Sequence, residues 1–253
     1  DVVIAALQEG AQGIAISSYQ GGHMEYFKYM KDLLKEAGAP YVKIYGGGGG
    51  VIVHQEKAEL EKYGIAQIFH PDDGRRLGLE GMARTMVEGA NFSLSSVADL
   101  SLVAQSQKNE IEKADPIPHW ELGLALSSLE EGLSGAPNGL IDLASLEKFK
   151  RKSGGTPPVL GITGTGGAGK SSLIDELAQR FLNCHPEIKI GIICVDPNKQ
   201  KTGGALLGDR IRMNSLSRTG TFMRSVASRG SGNEIARSLP VFLEKKKKYD
   251  FDL

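Results

Sequence analysis

The segment Gly164-Thr165-Gly166-Gly167-Ala168-Gly169-Lys170-Ser171 constrains this chain more than any other stretch. It satisfies G-x-x-x-x-G-K-[ST] in full, and its flanks suit the motif: "PVLGIT" before it has the pattern of a strand, and "SSLIDELAQRF" after it that of a helix. Phosphate oxygens need many backbone N–H groups converging on one point, so side chains must be absent from the loop, and the following helix adds the partial positive charge of its N-terminus. The candidate phosphate-binding positions are Gly164, Gly166, Gly167, Ala168, Gly169, Lys170, Ser171 and Ser172. Lys170 would contact the outer phosphates as the catalytic cation, and the Ser171 hydroxyl would hold Mg²⁺. The helix is expected to turn Leu173, Leu177 and Phe181 inward. The motif implies a P-loop NTPase α/β domain.

The next strand, "IKIGIICVD", ends at Asp196, where a carboxylate beside the loop can hold Mg²⁺ directly or through water. In "TGGALLGDRIRM", Asp209, Arg210 and Arg212 fall on a loop entering a helix. Spacing leaves two readings of them open: a helix cap with surface arginines, or a second metal carboxylate with Arg212 on phosphate.

A second glycine-rich stretch, "KIYGGGGGVIV" at 43 to 53, stands in the same strand-then-helix context. From Gly10 to Gly89 the pattern alternates: "AQGIAISSY", "YVKIY" and "IAQIF" as strands, separated by helices. The first of those helices places Phe27, Met30, Leu33 or Leu34 and Ala37 on one face; the second closes at Gly64; the last buries Leu79, Met82, Ala83, Met86 and Val87. Such alternation implies a parallel, flavodoxin-like (Rossmann-like) sheet, with its ligand loops beyond the carboxyl ends of the strands. "SSYQGGH" and "YGGGGG" are neighbouring loops on that edge. They are either a bare-backbone surface for a large rigid ligand or plain turns of a module that binds nothing or FMN.

Between these units, 93–157 reads as a helical linker with helices in "SSVADLSLVAQSQKNEIEKA" and "PHWELGLALSSLEEG", a weaker one from Leu140 to Phe149, and Trp120 as a packing residue. The expected domains are therefore 1–92, 93–157 and 158–253. The opening "DVVIAALQEG" resembles the middle or end of an amphipathic helix and the closing "YDFDL" the start of a strand, so both α/β units are expected to be incomplete.

Thirty basic and thirty acidic residues cancel, which argues against nucleic acid as a partner. The run Lys245 to Lys248 fits the solvated end of a helix. No apolar stretch approaches the ~20 residues that cross a bilayer. Two cysteines, Cys184 and Cys194, suit a reducing compartment, and a cytoplasmic location is expected.

Two resemblances sharpen these readings. "VDPNKQKTGGALLGDRIRMN" and "MRSVASRGSG" resemble the G-protein chaperones that load cobalamin onto acyl-CoA mutases. The likeness implies Mg²⁺ at Ser171, Asp196 and Asp209, GTP at Arg212, and a segment between Asp196 and Asp209 that responds to the nucleotide. The family's Glu-Thr-x-Gly and Asn-Lys-x-Asp motifs do not occur, so guanine specificity follows from the likeness alone. "GIAISSYQGGH" and "YGGGGGVIV" resemble signature loops of the cobalamin-binding domain of acyl-CoA mutases. That likeness implies Ser17 hydrogen-bonded to the cofactor's nucleotide tail, Tyr19, Gly21 and Gly22 lining its slot, Gly49 and Gly50 as its floor, and the Phe69-His70-Pro71 turn closing the far side. The family pattern more often has Leu at position 19 and Tyr at position 69.

The family's Asp-x-His-x-x-Gly motif, source of the cobalt-ligating histidine, would lie upstream of residue 1. His23 is expected to cap or pack a helix, and His54, His70, His119 and His185 to be surface or packing residues.

The order, cobalamin domain then G domain on one chain, resembles the fused isobutyryl-CoA mutases. It implies adenosylcobalamin, GTP and Mg²⁺ as cofactors and radical interconversion of isobutyryl-CoA and n-butyryl-CoA. Further implications are an acyl-CoA substrate held by a barrel outside this chain, GTP hydrolysis that gates cofactor loading, a cobalamin-delivering adenosyltransferase as partner, and a homodimer. A chain without the barrel would not catalyse the rearrangement itself. A fused mutase for pivalyl- or isovaleryl-CoA stays open, as does a GTPase switch with a docking module that binds no cobalamin.

Overall fold

The computed structural model describes residues 1–93, 122–123, 126–127, 130, 157–196, 208–217, 220–228, 238–245 and 251–253. Two compact units divide the chain, Asp1–Ala114 and Asp115–Leu253.

The first unit follows the expected alternation: α1 (Val2–Gln8), β1 (Gly13–Ser17), α2 (His23–Glu36), β2 (Lys43–Gly47), α3 (His54–Tyr63), β3 (Gln67–Phe69) and α4 (Pro71–Ala90). The strands form a parallel sheet in the order β1-β2-β3, with Ile14 opposite Ile44 and Gly46 opposite Ile68. Parallel strands need crossover connections, here α2 and α3, so the loops that leave the carboxyl ends of the strands share one edge. The core is the apolar face of α2 set on the sheet: Phe27, Met30 and Leu34 are buried with Ile44, Leu60 and Ile68. Of the two residues that could complete the α2 face, Leu34 is buried and Leu33 is only half-buried. Gly64 ends α3 in the left-handed conformation, φ 115°, where a side chain would be strained.

Polar links tie the helices at the loop edge. His23 Nε2 lies 3.0 Å from Glu56 Oε2, and Glu56 also accepts from the Val53 N–H at the start of α3. Lys57 of α3 donates to Asp73 of α4 at 2.6 Å, and Asp73 accepts from the His70 N–H. The Lys57 hydrogen bond, with help from the His70 and Arg76 donors, holds the Asp73 carboxyl far below the usual range despite its burial.

The inward face expected for α4 is not observed. Leu79 is 83% exposed and Val87 68%, Ala83 is exposed too, and only Met82 and Met86 are half-buried. Gly78, at φ 66° and ψ 173°, interrupts the helix just before this stretch, and none of the α4 residues is fully buried. The carboxyl end of α4 instead lies against the sheet near Gly13 and Tyr45, where a Cβ on Gly13 would come 3.4 Å from the Ala90 Cβ.

The second unit contains α5 (Lys170–Cys184), β4 (Ile190–Asp196), 3₁₀ turns at Asp209–Arg212 and Ser215–Ser217, β5 (Thr221–Ala227) and α6 (Leu239–Lys245). β4 and β5 pair in parallel from Ile190 opposite Thr221 to Asp196 opposite Ala227. Alternation sends their side chains to two faces. On one, Ile190, Ile192, Cys194 and Met223 pack with Ala178, Leu182 and Met213; on the other, Phe222 and Val226 pack with Leu122, Leu126 and Phe242. Leu122 and Leu126, on helical residues expected within the linker, thus contribute to the core of this unit. The other linker residues expected to be helical, Trp120 and the Leu140 to Phe149 stretch among them, lie outside the described residues, as do 246–248 of the lysine run.

Two expectations for this unit need correction. First, "PVLGIT" is not a strand: residues 157–163 join no ladder, and Val159 and Leu160 are 53% and 59% exposed. An extended segment becomes a strand only beside a partner. Here β5 occupies one edge of β4, while backbone bonds from Gly191 N to Leu253 O (2.9 Å) and Asp252 N to Lys189 O (2.8 Å) tie "FDL" to β4 as well. Second, α5 does not turn Leu173, Leu177 and Phe181 inward. Leu173 and Phe181 are exposed and Leu177 is half-buried, and the buried positions are Asp175, Ala178 and Leu182.

Candidate functional site

The phosphate-loop segment runs from residue 164 into α5, whose first residue is Lys170. Gly167 and Gly169 hold φ of 80° and 84°, a left-handed backbone that other residues adopt only with strain, and Gly169 is the residue from which α5 starts. A Cβ at Gly166, Gly167 or Gly169 would meet nothing within 4 Å. Gly167 and Gly169 serve backbone shape, and the space over the loop is open. Gly164, Ala168 and Ser172 lie exposed along the same segment. The Lys170 ammonium donates to Gly164 O at 2.8 Å and Thr165 O at 2.9 Å, so its charge sits at the loop itself.

Ser171 Oγ donates to Asp209 Oδ1 at 2.9 Å, across 38 residues of sequence. The structure therefore brings together two of the three residues expected to share a metal. Both offer hard oxygen atoms, the donor type that suits Mg²⁺. Asp196 closes β4 at its carboxyl end, where its backbone carbonyl accepts from Ser228 N. Arg212 is largely exposed, 3.8 Å from Asp209, whereas Arg210 turns inward and donates to Met223 O at 2.6 Å. The two arginines have separated into a surface cation and a structural tie. Residues 197–207, most of the segment expected to respond to nucleotide, lie outside the described residues.

Asp175 was missed by sequence reasoning. It lies one helical turn after Ser171 on the buried side of α5 and reaches the turn that follows Asp209. Its Oδ1 accepts from Ser215 N at 2.7 Å; its Oδ2 accepts from Asn214 Nδ2 at 3.3 Å and Gln179 Nε2 at 3.2 Å. Burial pushes its pKa up, but the donors at Ser215 and Asn214 outweigh burial and leave the carboxyl below its ordinary value. In the sequence Asp175 belongs to no motif and lies off the stripe of Leu173, Leu177 and Phe181, so no local signal marked it.

In the first unit, Ser17 ends β1 opposite Gly47, and Tyr19, Gly21 and Gly22 form the exposed loop before α2. Gly22 has φ 90°, and neither Gly21 nor Gly22 has anything within 4 Å of a Cβ position. Tyr19 is 71% exposed, and its ring lies against Gly49, whose Cβ would come 2.6 Å from Tyr19 Cε1. Loop 18–22 and loop 48–53 are thus in contact. The five glycines are not one surface. Gly46 is buried beneath Phe27 and Ile68, Gly48 is buried against the Ser18 carbonyl, and only Gly49 and Gly50 are exposed. His23 opens α2 and is buried, while His54, His70 and His185 have surface or partly buried positions; His119 lies outside the described residues.

Comparison with known proteins adds to this geometry. Residues 142–250 match the family described as methylmalonyl Co-A mutase-associated GTPase MeaB. Along its full length the chain is 50% identical over 255 residues to the fused isobutyryl-CoA mutase of Geobacillus kaustophilus, of which it covers 23%. It is 47% identical over 254 residues to the fused isobutyryl-CoA mutase of Cupriavidus metallidurans, of which it covers 22%. A 78-residue portion, 30% of the chain, is 50% identical to 24% of a putative GTPase of Pyrococcus horikoshii. The chain resembles fused isobutyryl-CoA mutases from end to end, carries a MeaB-type GTPase region, and spans less than a quarter of the length of these mutases.

Proposed function

We propose that this chain is the cobalamin-binding and GTP-binding part of an adenosylcobalamin-dependent acyl-CoA mutase, in which a fused GTPase governs cofactor loading. The observation that carries the reading is the Ser171–Asp209 contact at the mouth of a complete phosphate loop. A hydroxyl and a carboxylate held together beside the loop suit the oxygen ligation of a nucleotide-bound Mg²⁺, which supports this reading. Lys170 would exchange its two backbone carbonyls for phosphate oxygens, Arg212 would add a second cation, and the N-terminus of α5 would face the phosphates. Asp196 would complete the metal set from the end of β4.

The residues of the first unit suit a large ligand: Gly21 and Gly22 leave open backbone, Gly49 and Gly50 are exposed on the facing loop with Tyr19 against Gly49, and Ser17 is exposed at the end of β1. Tyr19 would have to swing from Gly49 to admit the cofactor tail, or stack on it. When bound, adenosylcobalamin supplies radical carbon-skeleton chemistry. This chain's own residues would hold its tail and exclude water from it. The implied substrates are isobutyryl-CoA and n-butyryl-CoA, bound elsewhere in the protein; the adenosyltransferase partner, the homodimer and the cytoplasmic location belong to the same proposal. No described helix is long and apolar enough to cross a membrane.

The test uses the full-length gene product with a fluorescent GTP analogue and Mg²⁺. Lys170→Ala should weaken binding by roughly 100-fold, the equivalent of one lost charged phosphate contact at about 3 kcal/mol. Ser171→Ala should remove most of the Mg²⁺ dependence. Equal affinity in wild type and Lys170→Ala would refute the loop assignment. An absorbance titration with adenosylcobalamin tests the other half: an unchanged spectrum would remove the cobalamin reading and leave a GTPase.

A further inference from the structure

Loops 48–53 and 70 bring three potential ligands together from α3 and α4. His54 is the first residue of α3, His70 precedes α4 and caps it, and Asp72 lies in the first turn of α4. The imidazole centroids are 4.0 Å apart with planes inclined by 35°. Asp72 Oδ2 lies 3.3 Å from His54 Nε2 and 3.1 Å from His70 Nδ1, and all three ligand atoms fall within 4.8 Å of one another.

Hydrogen-bond accounting makes this arrangement unusual. His70 Nδ1 accepts from the Asp72 backbone N–H at 3.3 Å, which requires a lone pair on that nitrogen. The same nitrogen faces a carboxylate oxygen, another acceptor, at 3.1 Å. Two acceptors at that distance repel unless a positive charge lies between them. A cation on His70 Nδ1 would remove the repulsion by taking the lone pair that the Asp72 N–H now uses. A metal ion in the space shared by His54 Nε2, His70 Nδ1 and Asp72 Oδ2 would engage all three groups at once.

The spacing fits. With metal–nitrogen and metal–oxygen bonds of ~2.0–2.1 Å, a tetrahedral ion sets its ligand atoms ~3.3 Å apart. Two of the three ligand pairs already have that separation. Two imidazoles and one carboxylate are a Zn²⁺-type set that leaves the fourth position to water. Arg75 donates to the other carboxylate oxygen of Asp72 at 2.9 Å and so orients it, and the half-buried Lys57 is paired with Asp73 at 2.6 Å.

We propose that His54, His70 and Asp72 form a divalent transition-metal site of the Zn²⁺ type that clamps the start of α3 to the start of α4. The inference concerns the first unit alone and does not depend on the cobalamin or GTP readings.

The experiment titrates Zn²⁺ into metal-stripped, cofactor-free full-length protein in competition with a chromogenic chelator. One equivalent attributable to this site should bind, and His54→Ala and His70→Ala should each weaken that equivalent by at least ~10-fold. His185→Ala, an exposed histidine in the other unit, should have no effect on it. His54 is exposed, so His54→Ala should keep the wild-type far-UV circular dichroism, and loss of Zn²⁺ by a folded variant is then loss of a ligand. Absence of micromolar binding, or equal binding in both histidine variants, would overturn the site. Loss in only one of them would overturn the three-ligand assignment.

Discussion

Asp175 is expected to decide whether the segment carrying Asp209 stays against α5. Its carboxylate is the acceptor for Ser215 N at 2.7 Å, and Ser215 is fully buried. Replacing Asp175 by Ala strands that N–H away from water, which costs ~1–3 kcal/mol, and removes the weaker donors from Asn214 and Gln179. The sum is about 2–4 kcal/mol of local stability, or a roughly 30- to 700-fold rise in the open population of 209–217. Asp175→Asn keeps an oxygen for Ser215 N but loses the charge, and about 1–2 kcal/mol is expected. The sign with pH follows from the depressed carboxyl. Its stabilisation is complete above the unfolded value of about 3.9 and fades as pH falls through it towards the lower folded value. Wild type and Asp175→Asn should therefore differ most near neutrality and converge in acid. Amide hydrogen exchange of the 209–217 peptide reads the opening directly, and nucleotide affinity reads its consequence at Ser171. If Asp175→Ala leaves that exchange within about threefold of wild type, the inference that this carboxylate holds the segment fails.

Two further substitutions probe packing in each unit. Gly46→Ala would place a methyl group against the Phe27 ring, 2.7 Å from Cε1, and 2.8 Å from Ile68 Cδ1; overpacking of this kind should cost ~1–3 kcal/mol, read as a lower urea midpoint of the first unit. Glu130→Ala leaves the buried Arg224 guanidinium without the carboxylate it meets at 2.6 Å, retaining Ser127 at 3.0 Å; a loss of about 3–5 kcal/mol is expected in the thermal unfolding of the second unit, with Glu130→Gln less affected.

How much was legible depended on whether the signal was local. The strand-helix alternation of the first unit and the Gly64 stop could be read because periodicity and capping are properties of adjacent residues. The phase of α5 could not. Leu173, Leu177 and Phe181 make a consistent helical stripe, but Asp175 lies on the buried side because its partners, Asn214 and Ser215, stand some 40 positions away. The same holds for "MRSVASRGSG", noticed as a motif but not as part of β5, whose Arg224, at 4% exposure, donates to Glu130 across 94 residues and to Ser127. The Ser171–Asp209 pair was legible because each residue belongs to a motif that carries its chemistry. Asp175 was not, because it belongs to none.

The two glycine-rich stretches look alike in sequence and are required for opposite reasons. At Gly166, Gly167 and Gly169 an added Cβ would meet nothing, and at two of these positions φ is 80° or more. There glycine is needed for conformation, so that amides can point into open space. At Gly46 and Gly48 the constraint is room: Phe27 and Ile68 press on one, the Ser18 carbonyl on the other, 2.5 Å from a Cβ. Gly49 and Gly50 combine both demands, with φ of 56° and 96° on an exposed loop touched by Tyr19 and Pro71. A run of five glycines is therefore three devices in succession: a buried strand end, a close approach of two loops, and an exposed left-handed turn. Only the last is free to meet a ligand. If the run serves cobalamin, substitutions at 49 and 50 should weaken binding of the cofactor by a fold that exceeds any loss of stability, whereas those at 46 and 48 should lower both together. Equal behaviour at all four positions would mean that the run is structural throughout.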